Sequence, residues 1–183
     1  MDMISISYIV LWLLVLSLTI FAIAIAKKPT KVLGANQTGL PVGSPFPRFN
    51  MQSVVKQIPF SVSYPDRQGT LLLFSSSGCP ICSTVYPLFP YAEQKYNVKP
   101  QVIMEGRDGE VDSIIEKINE TGLSAPVYAL TPSIKEEVKL EGFPFAYYLS
   151  ADGKVLAKGV INTTTDIDLL VSTGRRAGMK LAG

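Results

Sequence analysis

Residues 70–82 of the chain read TLLLFSSSGCPIC. The apolar run Thr70–Ser75 is bounded by glycines on both sides, a pattern typical of a buried central strand. Cys79 and Cys82 follow, with two residues between them, at the predicted start of a helix. Backbone N–H groups are unpaired at such a start and favour a thiolate over a thiol. We therefore expect the pKa of the Cys79 thiol to lie below that of a free cysteine.

The spacing of Cys79 and Cys82 suits a redox-active dithiol. A thiolate is the species that attacks disulfides, and the second sulfur lies one helical turn further on, within reach of the first. We expect Cys79 to be exposed and to attack, and Cys82 to be more buried and to resolve the mixed disulfide. Pro80 suits the first helical position, where a backbone N–H would be unpaired in any residue.

Three other interpretations of this Cys-Pro-Ile-Cys motif compete with the redox one. It can be half of a zinc site, but the chain has no histidine and no third cysteine to complete four ligands. It can be an inert structural disulfide, although so short a loop constrains the unfolded chain little. It can also be two unpaired thiols. The position of the motif between a strand and a helix favours redox function, and we expect no metal to bind there.

The rest of the chain alternates apolar patterns of strands and helices, which predicts an α/β fold with a mixed sheet flanked by helices. The expected elements are a proline-containing helix from Cys79 to about Tyr96, strands at Pro100–Met104 and Val127–Leu130, helices at Glu110–Thr121 and from Thr131 to Gly142, a hairpin of Phe145–Leu149 and Val155–Ile161, and a last helix capped by Thr165.

Composition and charge exclude several classes of function. The chain has 17 basic residues, 15 acidic residues and no histidine. Without histidine, neither Ser-His-Asp nor Cys-His catalysis is available. Residues 41–183 carry equal numbers of basic and acidic side chains, so we expect no basic face and no binding of nucleic acid.

The amino-terminal residues predict a membrane anchor. Residues 4–26 carry no charge, and as a helix of ~35 Å they are long enough for a bilayer core of about 30 Å. A cleaved signal peptide is the alternative, but no basic region precedes the span and its apolar run is too long. We expect an anchor at 1–28, a proline- and glycine-rich linker at 29–40 and a globular domain at 41–183.

Two parts of the domain resemble the thioredoxin-like fold. The segment LLLFSSSGCPIC, with Pro87 eight residues after Cys79, is similar to the active-site strand and kinked helix of that fold. The segment Gly142–Ala146 resembles the loop that carries its cis-proline. The resemblance covers roughly residues 41–175. It implies that Pro144 is cis and packs beside the dithiol, and that Phe143 and Pro144 present backbone groups to an extended substrate.

A narrower resemblance is to the MauD family of methylamine-utilisation proteins, carried by the anchor layout, the segment GLPVGSPFPRF and the CPIC strand. Tethered reductases of cytochrome c maturation are more distant. The resemblance implies a membrane-tethered thiol–disulfide oxidoreductase that acts in disulfide formation or maturation of extracytoplasmic proteins. Its expected partners are cysteine-containing clients, a membrane redox partner and the lipid around the anchor, with no cofactor.

The orientation of the anchor is ambiguous. Lys27, Lys28 and Lys31 follow the span, and the positive-inside rule would therefore place the domain in the cytoplasm. The family layout has the same basic residues with the domain outside a bacterial cytoplasmic membrane, and we expect that orientation here.

The sequence also departs from the family. Leu73 stands where many thioredoxins carry a buried acid, which suggests another proton path, through water or a remote carboxylate such as Glu105. The dipeptide Pro80-Ile81 matches neither strong oxidants nor cytosolic thioredoxins. Two other functions stay open: an extracytoplasmic reductase for cytochrome c maturation and a non-catalytic client-binding module.

Overall fold

The computed structural model describes residues 11–20 and 38–181. The chain divides into two units, Met1–Leu33 and Gly34–Gly183. In the first unit, residues 11–20 are helical and their side chains are exposed. Of the predicted transmembrane segment, residues 4–10 and 21–26 lie outside the described residues. Within the described ranges, no helix combines the length and the apolar character that crossing a bilayer requires.

The second unit is built on one five-stranded mixed sheet, as predicted. The strands are β1 (Thr70–Ser76), β2 (Lys99–Glu105), β3 (Val127–Ala129), β4 (Phe145–Leu149) and β5 (Val155–Gly159), in the order β3-β2-β1-β4-β5. β1, β2 and β3 are parallel, whereas β4 runs antiparallel to both β1 and β5. β1 is therefore the central strand.

Within residues 38–181, five α-helices accompany this sheet. They are α1 (Pro80–Ser83), α2 (Phe89–Tyr96), α3 (Val111–Thr121), α4 (Pro132–Glu137) and α5 (Thr164–Leu181), and 3₁₀ turns lie at Tyr86–Leu88 and Arg107–Gly109.

The central strand separates two hydrophobic cores, because successive side chains of a strand point to opposite faces. Leu71 and Leu73 face one core, which also contains Cys82 and apolar residues of α2, α3 and α5; we call it the dithiol-side core. Leu72 and Phe74 face the second core, with α4 and apolar residues from 46–62. Burial on both faces explains why the strand is an uninterrupted apolar run.

The expected single helix from Cys79 to about Tyr96 is wrong, because this stretch is broken into α1, a 3₁₀ turn and α2. Proline has no N–H and its ring crowds the preceding turn, so it belongs at helix starts. Pro80, Pro87 and Pro90 each occupy one of the first two positions of a new helical piece.

Two other helix ends differ from prediction. α4 begins as expected, with the Thr131 hydroxyl accepting the N–H of Ile134 at 3.3 Å, but it ends at Glu137 rather than Gly142. Lys139 just beyond it has a left-handed φ of 55°.

In α5 the capping residue is Thr163 and not Thr165. The Thr163 hydroxyl accepts the N–H of Asp166 at 3.2 Å, and the Asp166 carboxylate accepts the N–H of Thr163 at 2.9 Å.

Residues 38–40, in the range expected to be linker, contact the domain directly. The N–H of Gly39 donates to the carbonyl of Lys139 at 2.9 Å, and the N–H of Leu40 donates to the Tyr147 hydroxyl at 2.9 Å. The remainder of the expected linker, residues 29–37, lies outside the described residues.

Candidate active site

Cys79 and Cys82 are joined by a disulfide at the start of α1, where the sheet's central strand ends. Their Cα atoms are 5.4 Å apart. Cys79 is the N-cap residue of α1, with extended backbone angles, and its Sγ accepts the backbone N–H of Cys82 at 3.2 Å. In the reduced protein the same N–H can stabilise a thiolate on Cys79, because an N-cap acceptor pairs an otherwise unpaired donor.

The two sulfurs differ in accessibility. Cys79 is partly exposed, whereas Cys82 has 0% of its surface exposed and belongs to the dithiol-side core. Pro80 and Ile81 between them are exposed, and Ile81 presents 58% of its surface. An attacking sulfur from another chain can therefore reach Cys79 and meets apolar surface beside it, while Cys82 is shielded.

The turn between β1 and α1 is held by its serines. The Cys79 N–H donates to the Ser76 carbonyl at 3.1 Å, and the Gly78 N–H donates to the Ser76 hydroxyl at 3.3 Å. Ser77 is buried, and its hydroxyl accepts the N–H of Arg107 at 2.9 Å and lies 3.2 Å from the hydroxyl of Ser113. The bonds of Ser77 join the turn before Cys79 to the loop between β2 and α3 and so hold that turn in place.

Phe143 and Pro144 lie beside this turn. β1 and β4 are antiparallel with Phe74 opposite Phe145, so the residues just before Phe145 run alongside those just after Phe74. The Phe143–Pro144 peptide bond is cis, as the resemblance implied. Pro144 is buried, and Phe143 is half-buried and packs, like Cys79, against the dithiol-side core.

Sequence reasoning missed Lys135 of α4, which connects two parts of the site. Its Nζ lies 2.9 Å from a carboxylate oxygen of Glu105 and 5.2 Å from the centre of the Phe143 ring. The main chain of Glu105 in turn accepts the N–H of Ser77 at 2.9 Å. Glu105, which the sequence raised as a remote proton carrier, is thus held in an ion pair at the end of β2. No sequence signal marked Lys135, because its partners are 30 and 8 positions away.

Sequence reasoning also missed two buried hydroxyls that are hydrogen-bonded to each other. Ser75 and Tyr86 are 0% and 4% exposed, and their hydroxyl oxygens lie 2.5 Å apart. Leu73, at the position where many thioredoxins carry an acid, is fully buried among apolar side chains. The alternation Leu71, Leu73, Ser75 on one face of β1 was visible in the sequence and could have flagged Ser75.

Pro87 lies on the 3₁₀ turn that follows α1, and its side chain is exposed. It shapes the break in the helix rather than the surface around Cys79. In the described part of the chain, no three acidic or cysteine side chains come together as metal ligands would.

Comparisons with known proteins agree with this geometry. No protein-family model matches the chain. The chain is 25% identical over 138 residues to the methylamine utilization protein MauD of Methylophilus methylotrophus, covering 75% of this chain and 64% of that protein. It is 23% identical over 179 residues to MauD of Paracoccus denitrificans, covering 92% of this chain and 88% of that protein. The first match thus spans just under two thirds of the relative.

A solved structure shares the fold. A Chlorobium tepidum protein, provisionally named a thiol:disulfide interchange protein DsbE, superposes with a TM-score of 0.60 at 21% identity, covering 75% of this chain and 98% of that chain. At 21% identity this comparison shows a common fold only. The similarity in sequence is to the MauD proteins. The chain is therefore a thioredoxin-fold protein that is similar to MauD.

Proposed function

We propose that this chain is a thiol–disulfide oxidoreductase that exchanges the Cys79–Cys82 disulfide with cysteine-containing client proteins. The observation that carries the proposal is the pairing of one accessible sulfur and one buried sulfur in a single disulfide at a helix start. Such a pair can open without losing its partner, because the buried sulfur stays in place to close it again. The MauD relatives and the thioredoxin-like fold support the same activity.

In the oxidising direction a client thiolate attacks the Sγ of Cys79. The new bond joins the client sulfur to Cys79, the Cys79–Cys82 bond breaks, and its electron pair leaves on the Sγ of Cys82. A second client thiolate then attacks the first client sulfur and releases Cys79 as a thiolate. The client has lost two electrons and gained a disulfide, and the protein holds both cysteines reduced. In the reducing direction the same steps run backward.

Client binding is proposed for the surface around Cys79. Phe143 and Pro144 would present backbone groups to an extended client segment, and exposed Ile81 would contact its apolar side chains. Lys135 supports this surface, because its ammonium lies over the Phe143 ring and is paired with Glu105.

The setting proposed for this activity is the outer face of a bacterial cytoplasmic membrane, with residues 4–26 as a single-pass anchor. The uncharged composition of that segment supports the anchor, and the likeness to MauD supports the extracytoplasmic side. There the protein would act in disulfide formation or maturation of extracytoplasmic proteins, supplied with oxidising or reducing equivalents by a membrane redox partner.

A trapping experiment tests the proposed chemistry. Reduced full-length Cys82→Ser protein is mixed with a synthetic peptide that contains one internal disulfide. We expect a mixed disulfide between the peptide and Cys79 to accumulate, because no second cysteine remains to resolve it. Mass spectrometry of alkylated, non-reduced protein identifies the adduct.

The matched control is Cys79→Ser, which keeps only the buried sulfur. It should form the adduct much more slowly, because Cys82 is inaccessible. If neither variant forms an adduct, the protein is a binding module and not an oxidoreductase. Equal rates in the two variants would contradict the roles assigned to the two cysteines.

A further inference from the structure

A buried hydroxyl pair lies in the dithiol-side core. The Ser75 Oγ of β1 and the Tyr86 Oη of the 3₁₀ turn are 2.5 Å apart, and either oxygen can donate to the other. Both residues are almost fully buried, at 0% and 4% exposure. A buried hydroxyl without a partner is costly, so the bond between them accounts in part for their presence in an apolar core.

The pair lies on the same side of the sheet as Cys82. Tyr86 follows Cys82 by four residues, and Thr84 and Val85 between them have helical backbone angles, which puts the two side chains on one face. Cys82 and Tyr86 both belong to the dithiol-side core. Ser75 continues the face of β1 that carries Leu71 and Leu73 into the same core, toward the end of the strand where Cys79 follows.

One hydroxyl hydrogen of the pair is unused. Two hydroxyls carry two hydrogens, and the bond between them uses one. Among residues 11–20 and 38–181, neither hydroxyl makes a second hydrogen bond. Burial raises the pKa of Tyr86, and its hydrogen bond to Ser75 lowers it only in part, so the phenol stays protonated at neutral pH and can donate.

A buried thiolate on Cys82 needs such a donor. When the disulfide opens, the leaving electron pair places a negative charge on a sulfur that is out of contact with water. The fully buried polar side chains in the described ranges are hydroxyls and one amide, with no carboxylate and no ammonium group among them. Leu73 supplies neither charge nor hydrogen bond.

We propose that the Ser75–Tyr86 pair donates a hydrogen bond to the Cys82 sulfur and stabilises it as the leaving thiolate when the disulfide opens. This inference rests on the proposed thiol–disulfide exchange. The client sulfur bonds to Cys79, the Cys79–Cys82 bond breaks, and its electrons stay on Cys82. The hydroxyl keeps its proton and only shares it. The electrons come from the client thiolate.

The test uses the full-length Cys79→Ser protein, in which Cys82 is the only thiol. Its ionisation is followed by thiolate absorbance as the pH is raised. Adding Tyr86→Phe or Ser75→Ala removes one hydroxyl and keeps most of the packing. We expect the midpoint of Cys82 ionisation to rise by about one pH unit in at least one of these variants, a tenfold loss of thiolate below the midpoint.

Tyr148→Phe is the matched control. Tyr148 is 1% exposed in the same core, but its hydroxyl donates to the Gln68 carbonyl at 3.2 Å, at the opposite end of β1. The control should leave the midpoint of Cys82 unchanged. An unchanged midpoint in both test variants overturns the proposal, and so does an equal rise in Tyr148→Phe. If Tyr86→Phe does not fold, the comparison of Ser75→Ala with Ser75→Thr tests the proposal. Ser75→Thr keeps a hydroxyl and should restore the wild-type midpoint.

Exchange by the wild-type protein with the disulfide peptide separates this inference from the proposed function. If the wild type does not exchange disulfides with the peptide, the proposed oxidoreductase activity is wrong. If the wild type exchanges normally but the Cys82 midpoint is unchanged in the variants, only the proposed role of the hydroxyl pair is wrong.

Discussion

Asp168 illustrates how single residues hold the helix after the dithiol in place. Its carboxylate accepts hydrogen bonds from the hydroxyls of Tyr96 and Tyr91, each at 2.7 Å, and from the Lys95 ammonium at 3.0 Å. These donors lie on α2 and Asp168 lies on α5, so the cluster ties the two helices together. The hydrogen bonds from Tyr96, Tyr91 and Lys95 lower the pKa of Asp168 to about 2.

The lowered pKa predicts a component of acid sensitivity. The folded-state pKa of about 2 lies below the ordinary value of 3.8, so the carboxylate stabilises the fold above that value and loses this contribution as the pH falls toward 2. We expect the free energy of unfolding to fall less steeply from pH 5 to 2 in Asp168→Asn than in wild type. Urea denaturation at a series of pH values measures this, and parallel curves would contradict it.

At the scale of elements, α5 depends on a close approach to the sheet. A Cβ at Gly174 would lie 3.0 Å from Cε1 of Tyr148 and 3.1 Å from Cβ of Leu156. The Tyr148 ring is 1% exposed within the dithiol-side core, so it cannot easily move away. One turn later, at Gly178, a Cβ would lie 3.5 Å and 3.7 Å from the methyl groups of Leu156, which is ordinary contact.

We therefore expect the substitution of glycine by alanine to change the free energy of unfolding in opposite directions at the two glycines of α5. Gly178→Ala should stabilise the protein by up to about 1 kcal/mol, because alanine is the better helix former. Gly174→Ala should destabilise it by about 1–3 kcal/mol, since overpacking outweighs the same gain in helix propensity. Chemical denaturation of both variants beside the wild type gives the two free energies. The same sign at both positions would contradict this account of α5.

The elements also show what local sequence patterns can and cannot predict. β1 was predictable because burial on both faces leaves a continuous apolar run, and α3 because its apolar residues recur at helical spacing. The three pieces from Pro80 to Tyr96 do not follow from the local pattern, since a proline can either kink a helix or begin a new one. The end of α4 depends on Lys139, a non-glycine residue in a left-handed conformation that no local pattern indicates.

At the scale of the whole molecule, the sequence located the two sulfurs but not their surroundings. Cys79, Cys82 and the cis-proline loop carry recognisable motifs, and their placement follows from the order of the strands. The Ser75–Tyr86 pair and the Lys135 contacts join segments that only the folded sheet brings together. Such contacts depend on register and packing, which a single sequence does not encode in any short pattern.

The most direct test of the oxidoreductase account is a redox titration of the full-length protein in detergent. The protein is equilibrated in thiol–disulfide buffers of graded potential, quenched with an alkylating reagent and analysed by mass. We expect Cys79 and Cys82 to convert together between dithiol and disulfide as a two-electron couple, with a midpoint between about −120 and −270 mV. Cysteines that respond to neither dithiothreitol nor diamide would contradict the account.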